Sequence, residues 1–123
     1  MIPEISLNTH WRQTSAPDAD DGSDVPLLAQ FEPRRIKGKM AWLEREFDLP
    51  MQDVCINYLL RIDAVAQGTH LSINGRDFGE IAAPLEIDVT DNVALEDNKI
   101  VLRVLHNAFG AFGTVQLIAV PCE

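Results

Sequence analysis

After residue 40 the apolar and polar positions of this chain alternate with a period of two, the pattern of strands that show one face to a core and the other to water. Leu43, Phe47 and Leu49 share one face with Arg45 among them, Glu44, Glu46 and Asp48 take the other, and Pro50 closes the run. A second strand is predicted where Val54, Ile56, Tyr58, Leu60, Ile62 and Ala64 alternate with Cys55, Asn57, Leu59, Arg61 and Asp63. Residues 70–73 run into Asn74-Gly75, a strong hairpin signal because a type I′ turn needs positive φ at both central positions, and residues 76–79 should return antiparallel. Further strands are expected at Leu85, Ile87 and Val89, at Ile100, Leu102 and Val104, and at Val115, Leu117 and Ala119. Residues 5–14, with Trp11, read as a short strand or an extended edge. No segment has helical periodicity. Seven or eight strands at intervals of about ten residues predict an all-β, antiparallel sandwich.

One segment breaks this pattern. Residues 15–26 are Ser, Ala, Pro, Asp, Gly and Val only, a composition that buries little apolar surface and predicts a mobile acidic loop. Its Asp18, Asp20, Asp21 and Asp24 do not have EF-hand spacing, because Gly22 falls fifth and Ala29 twelfth from the first aspartate, so no metal is expected there. Phe31 and a basic patch at Arg34, Arg35, Lys37 and Lys39 follow.

Length and charge narrow the function classes. The 123 residues are read as one domain, 1–123, with one core. Ten basic against nineteen acidic residues give a net charge of -9, which argues against nucleic acid and against an anionic membrane surface. Met1-Ile2-Pro3-Glu4 does not open a basic and then apolar leader, so a cytoplasmic protein is expected. Cys55 and Cys122 lack C-x-x-C spacing; reduced structural thiols are expected, and a bridge only if the chain is exported.

The order of the signals from Trp42 onward resembles the N-terminal sugar-binding-type jelly roll of glycoside hydrolase family 2. The residues that carry the resemblance are Trp42-Leu43-Glu44-Arg45-Glu46-Phe47-Asp48-Leu49-Pro50, then Leu71-Ser72-Ile73-Asn74-Gly75-Arg76-Asp77-Phe78-Gly79. Leu85-Glu86-Ile87-Asp88-Val89-Thr90 and Asn98-Lys99-Ile100-Val101-Leu102-Arg103-Val104 complete it. Leu43 stands where the family has Tyr, and Gly110-Ala111-Phe112-Gly113 replaces its Gly-Ile-Trp type segment. The resemblance implies a galactose-binding-like jelly-roll sandwich. In that family the catalytic carboxylates lie in a separate barrel.

The chemistry visible in the residues agrees with a non-catalytic domain. Glu44 and Glu46 point the same way from one strand, but they fall on the polar face, where paired carboxylates are expected to be solvated. His10, His70 and His106 have no metal-ligand spacing, and no G-x-S-x-G elbow is present, so no catalytic residue, metal or cofactor is expected. Asp88 and Thr90 are assigned to loop-fixing hydrogen bonds, and Arg45 to a structural ion pair. A sugar platform would need flat rings with hydrogen-bonding neighbours. Among Trp11, Trp42, Phe109 and Phe112, the candidate platform is the edge loops around Trp42 and around Phe109 and Phe112, with His106 and Asn107 as hydrogen-bonding partners; lone aromatics of this kind more often plug the end of a core. The expected function is a carbohydrate-binding-like module. The alternative is a structural or assembly protein using the same aromatics against another copy or a larger glycosidase-like partner.

Overall fold

The computed structural model describes residues 4–14, 23–25, 28, 40–50, 55–105 and 112–122. Ten strands are described: β1 (Glu4–Ser6), β2 (Trp11–Thr14), β3 (Ser23–Val25), β4 (Met40–Phe47), β5 (Ile56–Ile62), β6 (His70–Ile73), β7 (Arg76–Glu80), β8 (Leu85–Asp88), β9 (Asn98–Leu105) and β10 (Val115–Pro121). They form a four-stranded sheet ordered β1-β10-β5-β8 and a six-stranded sheet ordered β3-β2-β4-β9-β6-β7. Every pairing is antiparallel. The expected all-β sandwich is the structure's architecture, with more strands than the alternation revealed. β1 and β3 span only three residues each, too few for a period of two to show. Residues 5–14 are not one strand: β1 and β2 lie in different sheets. β3 forms inside the segment expected to be an acidic loop, whose other residues, apart from β3, lie outside the described ones.

The alternation on β4 and β9 sets the sandwich. Ala41, Leu43 and Phe47 face inward beside Ile100, Leu102 and Val104, and Leu60, Ile62, Val115 and Leu117 meet them from the other sheet's strands within one buried cluster. Burying a side chain of this kind contributes roughly 1.5–3 kcal/mol, so these pairs outweigh any surface contact described below. Trp11 is fully buried, and its indole N–H donates to the Leu7 carbonyl.

Two glycines sit where the backbone turns sharply or packs closely. Asn74 (φ 51) and Gly75 (φ 86) form the predicted turn between β6 and β7. The Asn74 amide donates to the carbonyl of Asn92 at 2.6 Å and to Asn98 Oδ1 at 3.0 Å, which ties the turn to the loop before β9. At Gly113 a Cβ would stand 3.0 Å from the Ala64 backbone nitrogen, a tight fit beside the bond that Gly113 N donates to Ala64 O at 2.9 Å.

The cysteines correct an expectation. Cys55 and Cys122 form a disulfide rather than two reduced thiols. They lie 67 residues apart in sequence, but they sit opposite one another where β5 begins and β10 ends, with Cα atoms 5.2 Å apart and Cys122 N donating to Cys55 O at 2.9 Å. That separation is within bridging range, and closing a loop of this length typically contributes about 2–4 kcal/mol.

Candidate functional site

Two concavities bordered by described residues lie on the outward face of the six-stranded sheet. One is a cleft of 710 Å³ at the β3-β2-β4 end, bordered by His10, Arg12, Asp24, Glu44 and Glu46. The other is a groove of 240 Å³ over β4, β9, β6 and β7, bordered by Trp42, His70, Ser72, Asp77, Val101 and Arg103.

The larger cleft is built by register. Arg12 is directly opposite Asp24 on β3 and opposite Glu44 on β4, so charges of alternating sign stand side by side across three strands. Glu44 is 8% exposed and Lys99 Nζ approaches its carboxylate at 3.8 Å. Glu44 therefore departs from the solvated pair expected of it; the neighbouring strands cover it, and only Glu46 remains exposed. Covered by its neighbouring strands and with an ammonium beside it, Glu44 suits a structural ion pair better than acid catalysis.

The smaller groove is more open chemically. Trp42, Arg103 and His70 are consecutive partners across β4, β9 and β6, and Val101, Ser72 and Asp77 form the neighbouring row across β9, β6 and β7. The Arg103 guanidinium lies over the Trp42 ring, 5.7 Å from its centroid. Such a cation–π contact fixes the cation while leaving its N–H edge available. Val101 supplies an apolar floor, and Ser72 and Asp77 supply a hydroxyl and a carboxylate.

The residues expected to form a site meet different fates. Trp42 is half-buried on the outward face, opposite the core positions Leu43 and Phe47. Phe112 is 2% exposed and belongs to the core cluster, so its ring is a plug at the end of the sandwich and cannot serve as a platform. His106, Asn107 and Phe109 lie outside the described residues. Sequence reasoning passed over Arg103 and considered His70 only as a metal ligand, for which its spacing is wrong. Their strands were legible, but only the sheet order brings both beside Trp42.

Two further expectations can be followed on the structure. Asp88 Oδ1 accepts from Thr90 N at 2.9 Å and from Thr90 Oγ1 at 2.6 Å, and Thr90 Oγ1 in turn accepts from Tyr58 N at 2.9 Å. The Thr90 hydroxyl, and then its backbone N–H, hold the Asp88 carboxyl below the usual range. Arg45 is on the inward side as expected, but among the described residues it has no carboxylate partner. It donates to the Glu46 carbonyl, its Nε is buried without a hydrogen bond, and burial lowers its pKa from the ordinary arginine value.

No protein-family model and no curated protein matches the chain. Solved structures do match. A Bacteroides uniformis beta-glucuronidase superposes with a TM-score of 0.76 at 20% identity, over 98% of this chain and 18% of that one. A Ruminococcus gnavus beta-glucuronidase gives 0.76 at 15% identity, over 98% and 29%. A glycosyl hydrolase family 2 member from Bacteroides cellulosilyticus gives 0.75 at 15% identity, over 96% and 21%. This chain thus spans less than a third of the length of each of these enzymes. At these identities the likeness concerns the fold, and it agrees with the resemblance carried by the residues from Trp42 onward: the chain has the β-sandwich fold of a domain found in glycoside hydrolase family 2 enzymes.

Proposed function

We propose that this domain is a non-catalytic carbohydrate-binding module that holds its ligand in the groove beside Trp42. The observation that supports this most directly is the composition of that groove: an indole and Val101 for the apolar side of a sugar ring, with Ser72, Asp77, His70 and Arg103 placed to bond hydroxyl groups. In the other cleft Glu44 is covered and has Lys99 Nζ 3.8 Å from its carboxylate, which supports a structural role for it rather than hydrolysis.

The assembly reading has less support. Among the described residues the large exposed hydrophobic side chains are Leu95 and Leu105, which flank opposite ends of β9 and form no continuous patch. The disulfide also bears on location. Such bridges persist in oxidising compartments, so an exported protein is favoured over the cytoplasmic one expected from the sequence.

A glycan array carrying neutral and acidic sugars, probed with the wild-type protein and Trp42→Ala, tests the reading. Circular dichroism should confirm retained β structure in both. Binding that disappears in the variant is the expected result. A blank array together with concentration-dependent mass in sedimentation would replace this reading with assembly.

A further inference from the structure

We propose that the groove beside Trp42 takes acidic monosaccharide units, and that Arg103 reads the sugar's carboxylate. The inference rests on the binding reading above and adds the class of ligand.

Of the other arginines in the described sheets, Arg45 is turned to the inner face, Arg76 lies over the Phe78 ring, and two stand beside carboxylates. Arg61 bonds Glu86 at 3.0 Å, and Arg12 stands between Asp24 and Glu44. Arg103 differs: among the described residues its one contact of this kind is with the Trp42 ring, and no carboxylate bonds it. The indole therefore holds the guanidinium in place without using its N–H donors. A planar fork of that kind matches a carboxylate with two parallel bonds, and fixing it beforehand lowers the entropy lost on binding. His70, the next residue in the same row, stands on the far side of Arg103 with its Nδ1 3.3 Å from the Gly68 carbonyl, so its Nε2 is the ring nitrogen left for a ligand. Asp77 closes the other row, where it would accept a sugar hydroxyl and repel a second anion. The net charge of -9 gives the opposite long-range field, so recognition of an anion here requires this local, unneutralised group. The volume of 240 Å³ is below that of a site for a drug-sized molecule, roughly 300–1,000 Å³, and suits one sugar ring.

The test is a titration of the isotope-labelled protein followed by backbone amide NMR, using D-glucuronate, D-glucose, glucose 6-sulfate and sodium acetate in turn. The expected result is that glucuronate shifts amides of β4, β6 and β9 at a concentration at least about tenfold lower than glucose needs. Arg103→Gln should remove that preference while leaving a weak response to both sugars, and Arg103→Lys should retain part of it. Undisturbed dispersion of the other amides shows that each variant is folded. Equal responses to glucose and glucuronate would overturn the acidic preference but leave the binding module standing. Tighter binding of the sulfate ester would overturn the carboxylate assignment, and an acetate response as strong as that of glucuronate would reduce the groove to a simple anion site. If no sugar moves the groove amides, the binding reading falls as well.

Discussion

The inner and outer faces of the six-stranded sheet are made by the same strands under opposite rules. On β4, Ala41, Leu43 and Phe47 point inward and are nearly solvent-free, whereas Trp42, Glu44 and Glu46 point outward. On β9, Ile100, Leu102 and Val104 alternate in the same way with Lys99, Val101 and Arg103. Burial chooses the inner residues by volume and apolarity, so almost any order of similar side chains would fill that face. On the outer face each residue's partner is set by register, and register alone places Arg103 between Trp42 and His70. One face is a stability device. The other is a pattern.

The largest expected effect tests the inner face. Leu102→Ala should lower unfolding stability by about 3 kcal/mol, measured as the shift in a urea transition, because it leaves a cavity at the centre of the core. A loss under 1 kcal/mol would mean that the core collapses around the deletion, by about the cost of an ordinary surface change. Asn98 is one polar exception on that face. It is fully buried, accepts from Ala94 N at 2.7 Å and from Asn74 Nδ2 at 3.0 Å, and donates to Ala94 O at 2.8 Å. Asn98→Ala should cost about 2 kcal/mol by leaving those groups without partners, with the same urea transition as readout.

Arg45 is the inner face's misfit, and its prediction has the opposite sign. Arg45→Met should raise stability by about 1 kcal/mol, since it removes a buried Nε that has no acceptor and replaces it with apolar volume. A measured loss would show that the guanidinium is doing more than bonding the Glu46 carbonyl. On the outer face, Trp42→Ala should cost only about 0.5 kcal/mol, the scale of an exposed cation–π contact, while removing sugar binding. A large loss of stability there would erase the distinction between the two faces.

The smallest effect concerns pH and an exposed position on the other sheet. Asp88's folded-state pKa lies below its unfolded value, so its contribution is present above the unfolded pKa and is lost as pH falls through the folded one. Urea midpoints measured from neutral to acid pH should therefore fall less steeply for Asp88→Asn than for the wild type. Identical slopes would show that the Thr90 bonds do not favour the charged carboxylate.

How much of this was legible varied with the length of chain a feature needs. The period of two on β4, β5, β9 and β10 gave the sandwich and its inner residues, because burial acts on each position of a strand separately. Asn74-Gly75 was equally plain, since φ > 0 is a local demand. Phe112 was less so: a lone aromatic beside glycines is more often a plug than a platform, and only packing shows its ring to be buried. Arg45 was placed on the correct side, but the partner expected for it did not follow from its position.

The sequence by itself determined that this is an antiparallel β-sandwich, which residues of its regular strands face inward, and where the β6–β7 turn lies; these are matters of period and local backbone preference. Only the tertiary structure decided the pairing of Cys55 with Cys122, the covering of Glu44, and the row of Trp42, Arg103 and His70. Each depends on which strands become neighbours and in what register. Strand order is fixed by the cooperative burial of both sheets at once, and no single segment carries that information.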